Sequence, residues 1–171
     1  FQIKSVKKGQ DEWQTIFLKG VNLGVALPGK FPSEFPIDFD LYMDWFIKIG
    51  AMNSNVIRVY TILPPVFYEA FANYNLLYSD KPLYLMQGVW ASVPETHNYL
   101  DKDYSYAFQK EIKDVIDVIH GNKVLDPVNG KASGTYVSDV SKNTIAYLLG
   151  REWEPQGVTF TNQNNSIISF N

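Results

Sequence analysis

Four short apolar runs in this chain end in side chains able to do chemistry. They are Asn22 after the first, Arg58 and Tyr60 on the second, Gln87 and Trp90 on the third, and Arg151, Glu152, Trp153 and Glu154 after the fourth. If the runs are strands of a parallel sheet, these residues collect at its C-terminal edge, where α/β proteins gather their sites. A carboxylate, two guanidiniums, amides and indoles there suit a polar, ring-shaped substrate. Glycoside hydrolysis needs a carboxylic acid beside the leaving oxygen and a second carboxylate at the anomeric carbon. Glu152 stands where the first is needed. Glu154, just before Pro155, reads better as a cap or an ion-pair partner. Arg58 lies inside an apolar run, where a lone charge is costly, so an acidic partner is expected.

These residues need elements to position them. Around the polar segment 7–12, the short apolar stretches at 1–3, 6 and 16–18 predict an N-terminal β-hairpin over residues 1–16. Its second arm runs into "FLKGVNLG", residues 17–24, read as a buried strand, and the three prolines of the loop at 26–38 exclude regular structure there. Leu41, Trp45, Ile49 and Met52 predict one face of a helix capped near Asp38 or Asp40. "VIRVYT" at 56–61 is β-branched and short, a strand. Pro64-Pro65 opens a second helix, "PVFYEAFANYN". "LYLMQGVWA" at 83–91 is a third buried strand. Phe108, Ile112, Val115, Ile116 and Ile119 predict a third helix, capped by Asp101 or Asp103 and stopped at His120-Gly121-Asn122. Asp114 and Asp117 fall on its expected outer face. Residues 121–143 read as a long functional loop, 144–150 as a fourth buried strand, and the Asn-rich text past Pro155 shows no clear helix.

Strand alternating with helix predicts an α/β fold with a parallel sheet, its strands covered on both faces. The 171 residues suffice for one domain, and 46% hydrophobic with 19% charged residues marks a globular chain. It opens at Phe1 rather than Met, as a processed or excised product would. A net charge of -3, with no basic cluster beyond Lys7-Lys8, argues against nucleic acid as partner. Neither GxGxxG nor GxxxxGK[ST] is present, which argues against dinucleotide and P-loop nucleotide sites. The chain has no cysteine and only two histidines, His97 and His120, both read as surface residues. No metal site and no cofactor is expected. No apolar run reaches membrane-spanning length. Asn164-Asn165-Ser166 fits a glycosylation sequon. Aromatic residues make up 15% of the chain: a core rich in rings, or a cleft that stacks on sugars.

The segments "FLKGVNLG", "NVIRVYTILPPVFYEAF", "LYLMQGVW" and "LLGREWEP" resemble the first half of the retaining (β/α)8-barrel glycoside hydrolase clan. That clan includes the beta-galactosidase/beta-glucuronidase family and many cellulases and mannanases; within it, the segments look like the beta-galactosidase-like barrel proteins of bacteria. The resemblance spans roughly residues 17–155. It implies a TIM barrel of eight strands, of which this chain supplies about four βα units. It also implies an acid/base Glu closing the fourth strand and a nucleophilic Glu closing the seventh. Glu152 matches the acid/base, and Arg58 matches the arginine that keeps the nucleophile ionised. The clan has Asn before its acid/base, where this chain has Arg151. Trp90, Trp153, Asn22 and Tyr60 are the remaining candidates for contact with an oligo- or polysaccharide.

A full barrel takes roughly 250 residues, so no residue here matches the nucleophile. Residues 1–171 are therefore expected to be part of a glycosidase-like barrel domain, its second carboxylate on a missing C-terminal half or on a second copy of the chain. The competing expectation is a glycan-binding or structural half-barrel without catalysis. Relatives of this kind lean towards an extracytoplasmic or cell-envelope location.

Overall fold

The computed structural model describes residues 2–7, 10–150 and 152–169. Its centre is a four-stranded parallel sheet, β3 (Gly20–Asn22), β4 (Val56–Val59), β5 (Tyr84–Val89) and β8 (Thr144–Leu149), which lie side by side in chain order. One antiparallel hairpin precedes it in sequence and a second is inserted between β5 and β8. The first, β1 (Gln2–Lys7) with β2 (Gln10–Thr15), matches the expected N-terminal hairpin; Phe1 and its turn at 8–9 lie outside the described residues. The second, β6 (Lys123–Leu125) with β7 (Gly134–Tyr136), replaces the long loop expected over 121–143.

Three helices connect the strands. Asp38 caps α1 (Phe39–Ala51), its carboxylate accepting from the amides of Asp40 at 2.9 Å and Leu41 at 3.1 Å. Proline opens α2 (Pro65–Leu77), and Asp101 caps α3 (Lys102–Ile119) through the amides of Asp103 and Tyr104. These satisfy donors that a helix start leaves unpaired. Ile57, Val59, Leu85 and Val89 point from the sheet into the core, meeting rings from α1 and α2. Tyr42, Phe46, Phe67, Phe71 and Tyr74 pack edge-to-face or offset, with centroids 5.4–6.4 Å apart, the geometry that ring quadrupoles favour. Much of the chain's aromatic content is thus core.

Several expectations are corrected. The buried face of α1 is Tyr42, Phe46 and Ile49, one position round from the face expected; Met52 is 63% exposed. Tyrosine explains the shift: its ring is buried while its hydroxyl donates to the Pro36 carbonyl at 3.0 Å. The first strand is only three residues long, and Phe17 is 81% exposed. The chain before it is pinned by Asn55, which accepts from the Lys19 amide and donates to the Phe17 carbonyl, so no longer ladder forms. The fourth strand is half open: Tyr147 and Leu149 are 41% and 57% exposed, because no helix covers an outer strand's far end. Past Pro155, α4 (Pro155–Asn164) and the short α5 (Ser166–Ser169) form after all. Pro155 presets the first turn. Thr161 anchors α4 by accepting from the Tyr99 amide at 2.8 Å.

Asp114 is buried rather than on an outer face. It pairs with Lys110 at 2.7 Å and Lys123 at 2.5 Å, and so clamps the second hairpin to α3. Burial pushes this carboxyl up, but the two ammonium groups pull it further down, below its ordinary value of 3.8. A carboxyl lowered by folding stabilises the fold above its ordinary value and loses that contribution as pH falls through the folded one. Asp114→Asn should cost about 1–3 kcal/mol at neutral pH. It should also flatten the decline in stability below about pH 4, as read by urea denaturation across pH. At Gly88, any Cβ would lie 2.6 Å from the Val59 carbonyl oxygen and the Tyr60 carbonyl carbon. Both neighbours are backbone, so Gly88→Ala should lower unfolding free energy by about 3 kcal/mol, read from its denaturation midpoint.

Candidate functional site

In-register parallel strands align their side chains in rows. Asn22 pairs with Arg58, Arg58 with Met86, and Met86 with Ala146, so the row faces away from the Ile57–Leu85 row that enters the core. Arg58 therefore sits mid-sheet on the face opposite the helices. Its guanidinium carbon lies 4.5 Å from the centroid of the Tyr60 ring, two residues on, a cation–π contact. Its Nε is buried without a hydrogen-bond partner, and among the described residues Arg58 forms no ion pair. The acidic partner expected for it is thus not among them.

Beyond the C-terminal ends of β3, β4 and β5 opens a cavity of about 660 Å³, within the range of small-molecule sites. Tyr60 and Trp90 line it, with Phe35 from the proline-rich loop and Tyr104 and Phe108 from α3. The second hairpin supplies a wall through Asn129, Gly130 and Lys131. Lys131 pairs with Glu111 of α3 at 2.7 Å. Those two residues, with Thr61 and Ala107, also line a neighbouring cavity of about 460 Å³ that is edged by Lys110, Asp114 and Lys123.

The segment after β4 is held by buried polar groups. Gln87 points into the core, not the site: its amide donates to the Thr61 carbonyl at 2.9 Å and accepts from Tyr68 at 3.0 Å. Tyr68 in turn accepts from the Leu63 amide, and Tyr136 of the second hairpin donates to the Leu63 carbonyl at 3.0 Å. Burial pushes both phenols well above the ordinary tyrosine range. They stay protonated donors wherever the fold survives.

The other candidates lie around the cavity rather than in its wall. Gly150 donates to the Val89 carbonyl at 3.0 Å, so the strand end that leads to Glu152 abuts Trp90. Gly150 adopts φ of +91°, and Trp153 folds back against it, leaving no room for a side chain. The Trp153 ring packs edge-on to Tyr99 at 4.8 Å and to Phe108 at 6.2 Å. Glu152, between them, is exposed, as are Glu154 and Asn22. Arg151 lies outside the described residues. His97 and His120 are exposed. Among the described residues no three His, Asp or Glu side chains converge to hold a metal ion, and no helix is long and apolar enough to cross a membrane.

Sequence reasoning missed the contributions of α3 and the second hairpin to this cavity. The signal for α3 was present in Tyr104 and Phe108, a turn apart on a face otherwise assigned to the core. No family model, curated protein or solved structure matches the chain.

If Arg58 serves a ligand or a charged partner rather than the fold, its removal should not harm stability, because its buried Nε is unsatisfied. Arg58→Met should melt within a degree or two of the parent, or above it, in a thermal scan. A large drop would make Arg58 a structural residue.

Proposed function

We propose that this chain is the N-terminal half of a carbohydrate-active (β/α)8 barrel of the retaining glycoside hydrolase or transglycosylase type. Glu152 is its general acid/base, and its nucleophilic carboxylate lies outside these residues. One observation carries this reading: among the described residues Arg58 has no anionic partner, on the sheet face opposite the helices and in contact with Tyr60, which lines the cleft together with Trp90. A guanidinium whose buried Nε lacks a hydrogen bond suits a carboxylate brought by further strands, and four parallel strands lying side by side in chain order are compatible with such a barrel. Glu152 would give its proton to the glycosidic oxygen as the C–O bond breaks and the nucleophile bonds the anomeric carbon. It would then take a proton from the incoming water or sugar hydroxyl. The substrate is an oligo- or polysaccharide. Tyr60 and Trp90 offer ring faces, which give large contact area at low entropic cost.

A second reading, glycan binding without cleavage, draws on Glu152 being exposed and outside the cavity wall. Variants separate the two readings. Trp90→Ala and Tyr60→Ala should each weaken oligosaccharide binding about tenfold, or ~1.4 kcal/mol, in calorimetric titrations. Glu152→Gln should keep that binding and abolish turnover of the same oligosaccharides. Turnover that survives in Glu152→Gln removes this residue as the acid, and binding indifferent to both aromatic variants removes the cleft.

A further inference from the structure

We infer that the 660 Å³ cavity takes an uncharged, apolar aglycone: the alkyl chain or ring that the substrate saccharide carries at its reducing end, beyond the sugar that meets Tyr60 and Trp90. The inference rests on the glycan reading for the sugar half of the ligand, and on the cavity itself for the other half. Its walls are dominated by Phe35, Tyr104, Phe108, Leu23, Val25 and Leu63. A sugar presents hydroxyls on every edge, and such a wall leaves most of them without partners, at a cost in affinity. Among the described residues that line it, the only charged side chains are Glu111 and Lys131, and they neutralise each other at 2.7 Å. Nothing in that wall favours an ionic ligand.

The cavity also lies near the segment that carries the candidate acid, through contacts on either side of Glu152 in the chain. Trp90 lines it and lies beside Gly150, two residues before Glu152. Phe108 lines it and meets Trp153, the residue after Glu152. A leaving oxygen within reach of Glu152 would therefore carry its substituent towards the apolar chamber, with the sugar towards Arg58. The chamber's wall includes two small residues: Gly24, where an added Cβ would meet nothing within 4 Å, and Ala107 on α3. Ala107 is exposed and also lines the neighbouring 460 Å³ cavity.

The test titrates n-octyl β-D-glucoside, below its micelle concentration, and glucose into the whole chain by calorimetry. Two variants add bulk to the chamber's wall from different elements, Ala107→Trp and Gly24→Phe, so that misfolding of one leaves the other. Octyl glucoside should bind saturably and glucose at the same concentration should not. Either variant should weaken octyl glucoside at least tenfold while its circular dichroism and melting temperature match the parent. Equal binding of glucose and octyl glucoside, variants that titrate like the parent, or tighter binding of anionic octyl sulfate would overturn the inference. Binding of oligosaccharides without binding of octyl glucoside sinks the aglycone chamber and leaves the glycan reading standing. Chamber-dependent octyl glucoside binding with no oligosaccharide bound does the reverse.

Discussion

The segment that floors the cavity is held by one buried amide that makes three hydrogen bonds, one of them to the neighbouring Gly88 carbonyl. Gln87 lies on a central strand, in the core, and reaches both the carbonyl of Thr61 and the hydroxyl of Tyr68. Tyr68 and Tyr136 then secure the amide and carbonyl of Leu63. A loop leaving a parallel strand would otherwise carry unpaired backbone groups into an apolar interior. Here three side chains from three elements satisfy them. The same bonds fix where Tyr60 stands and join the second hairpin to the sheet. Buried polar networks that are fully satisfied specify a single arrangement, and this one specifies the floor of the cleft.

Gly88 is the steric counterpart. It lies beside Gln87 on β5 and lets the backbone at Val59 and Tyr60 come close. The Arg58 and Tyr60 side chains are then stacked along one strand face, two residues apart. Holding a guanidinium there is costly in a sheet whose neighbouring rows are apolar, and the tyrosine ring and the open face moderate that cost.

What could be read from the sequence was decided by how local its determinants are. Central strands β4 and β5 were legible because short, nearly continuous apolar runs carry their own signal. Caps at Asp38 and Asp101 and the opening of α2 at Pro65 were legible for the same reason, since each acts within one turn. The face of α1 was misread because tyrosine counts as amphipathic in a pattern, yet Tyr42 buries its ring by finding a carbonyl for its hydroxyl. The hairpin over Lys123–Leu125 and Gly134–Tyr136 was hidden because its anchors, Asp114 and Glu111, lie on another element. Helix α4 is held by Thr161 and Tyr99, 62 residues apart, a contact that no local window contains. At the site, Tyr60 and Trp90 were legible as strand-end residues, whereas Gln87 was misplaced by one pleat: its position is right, but its side chain faces the core.

Each of the first three strands reaches its partner after a single helix, but β8 joins β5 only once α3 and an entire hairpin have been laid down. Closing the longer loop costs more chain entropy, and such non-local pairing forms late. The strand is also open on one side, with Tyr147 and Leu149 in water. Segments of that kind sit at the low end of a protein's ladder of local opening. The carboxylate at Glu152 is thus mounted on the strand of this sheet whose pairing spans the longest stretch of chain and whose far end is open to water, while the cleft floor beside it is tied down by buried hydrogen bonds.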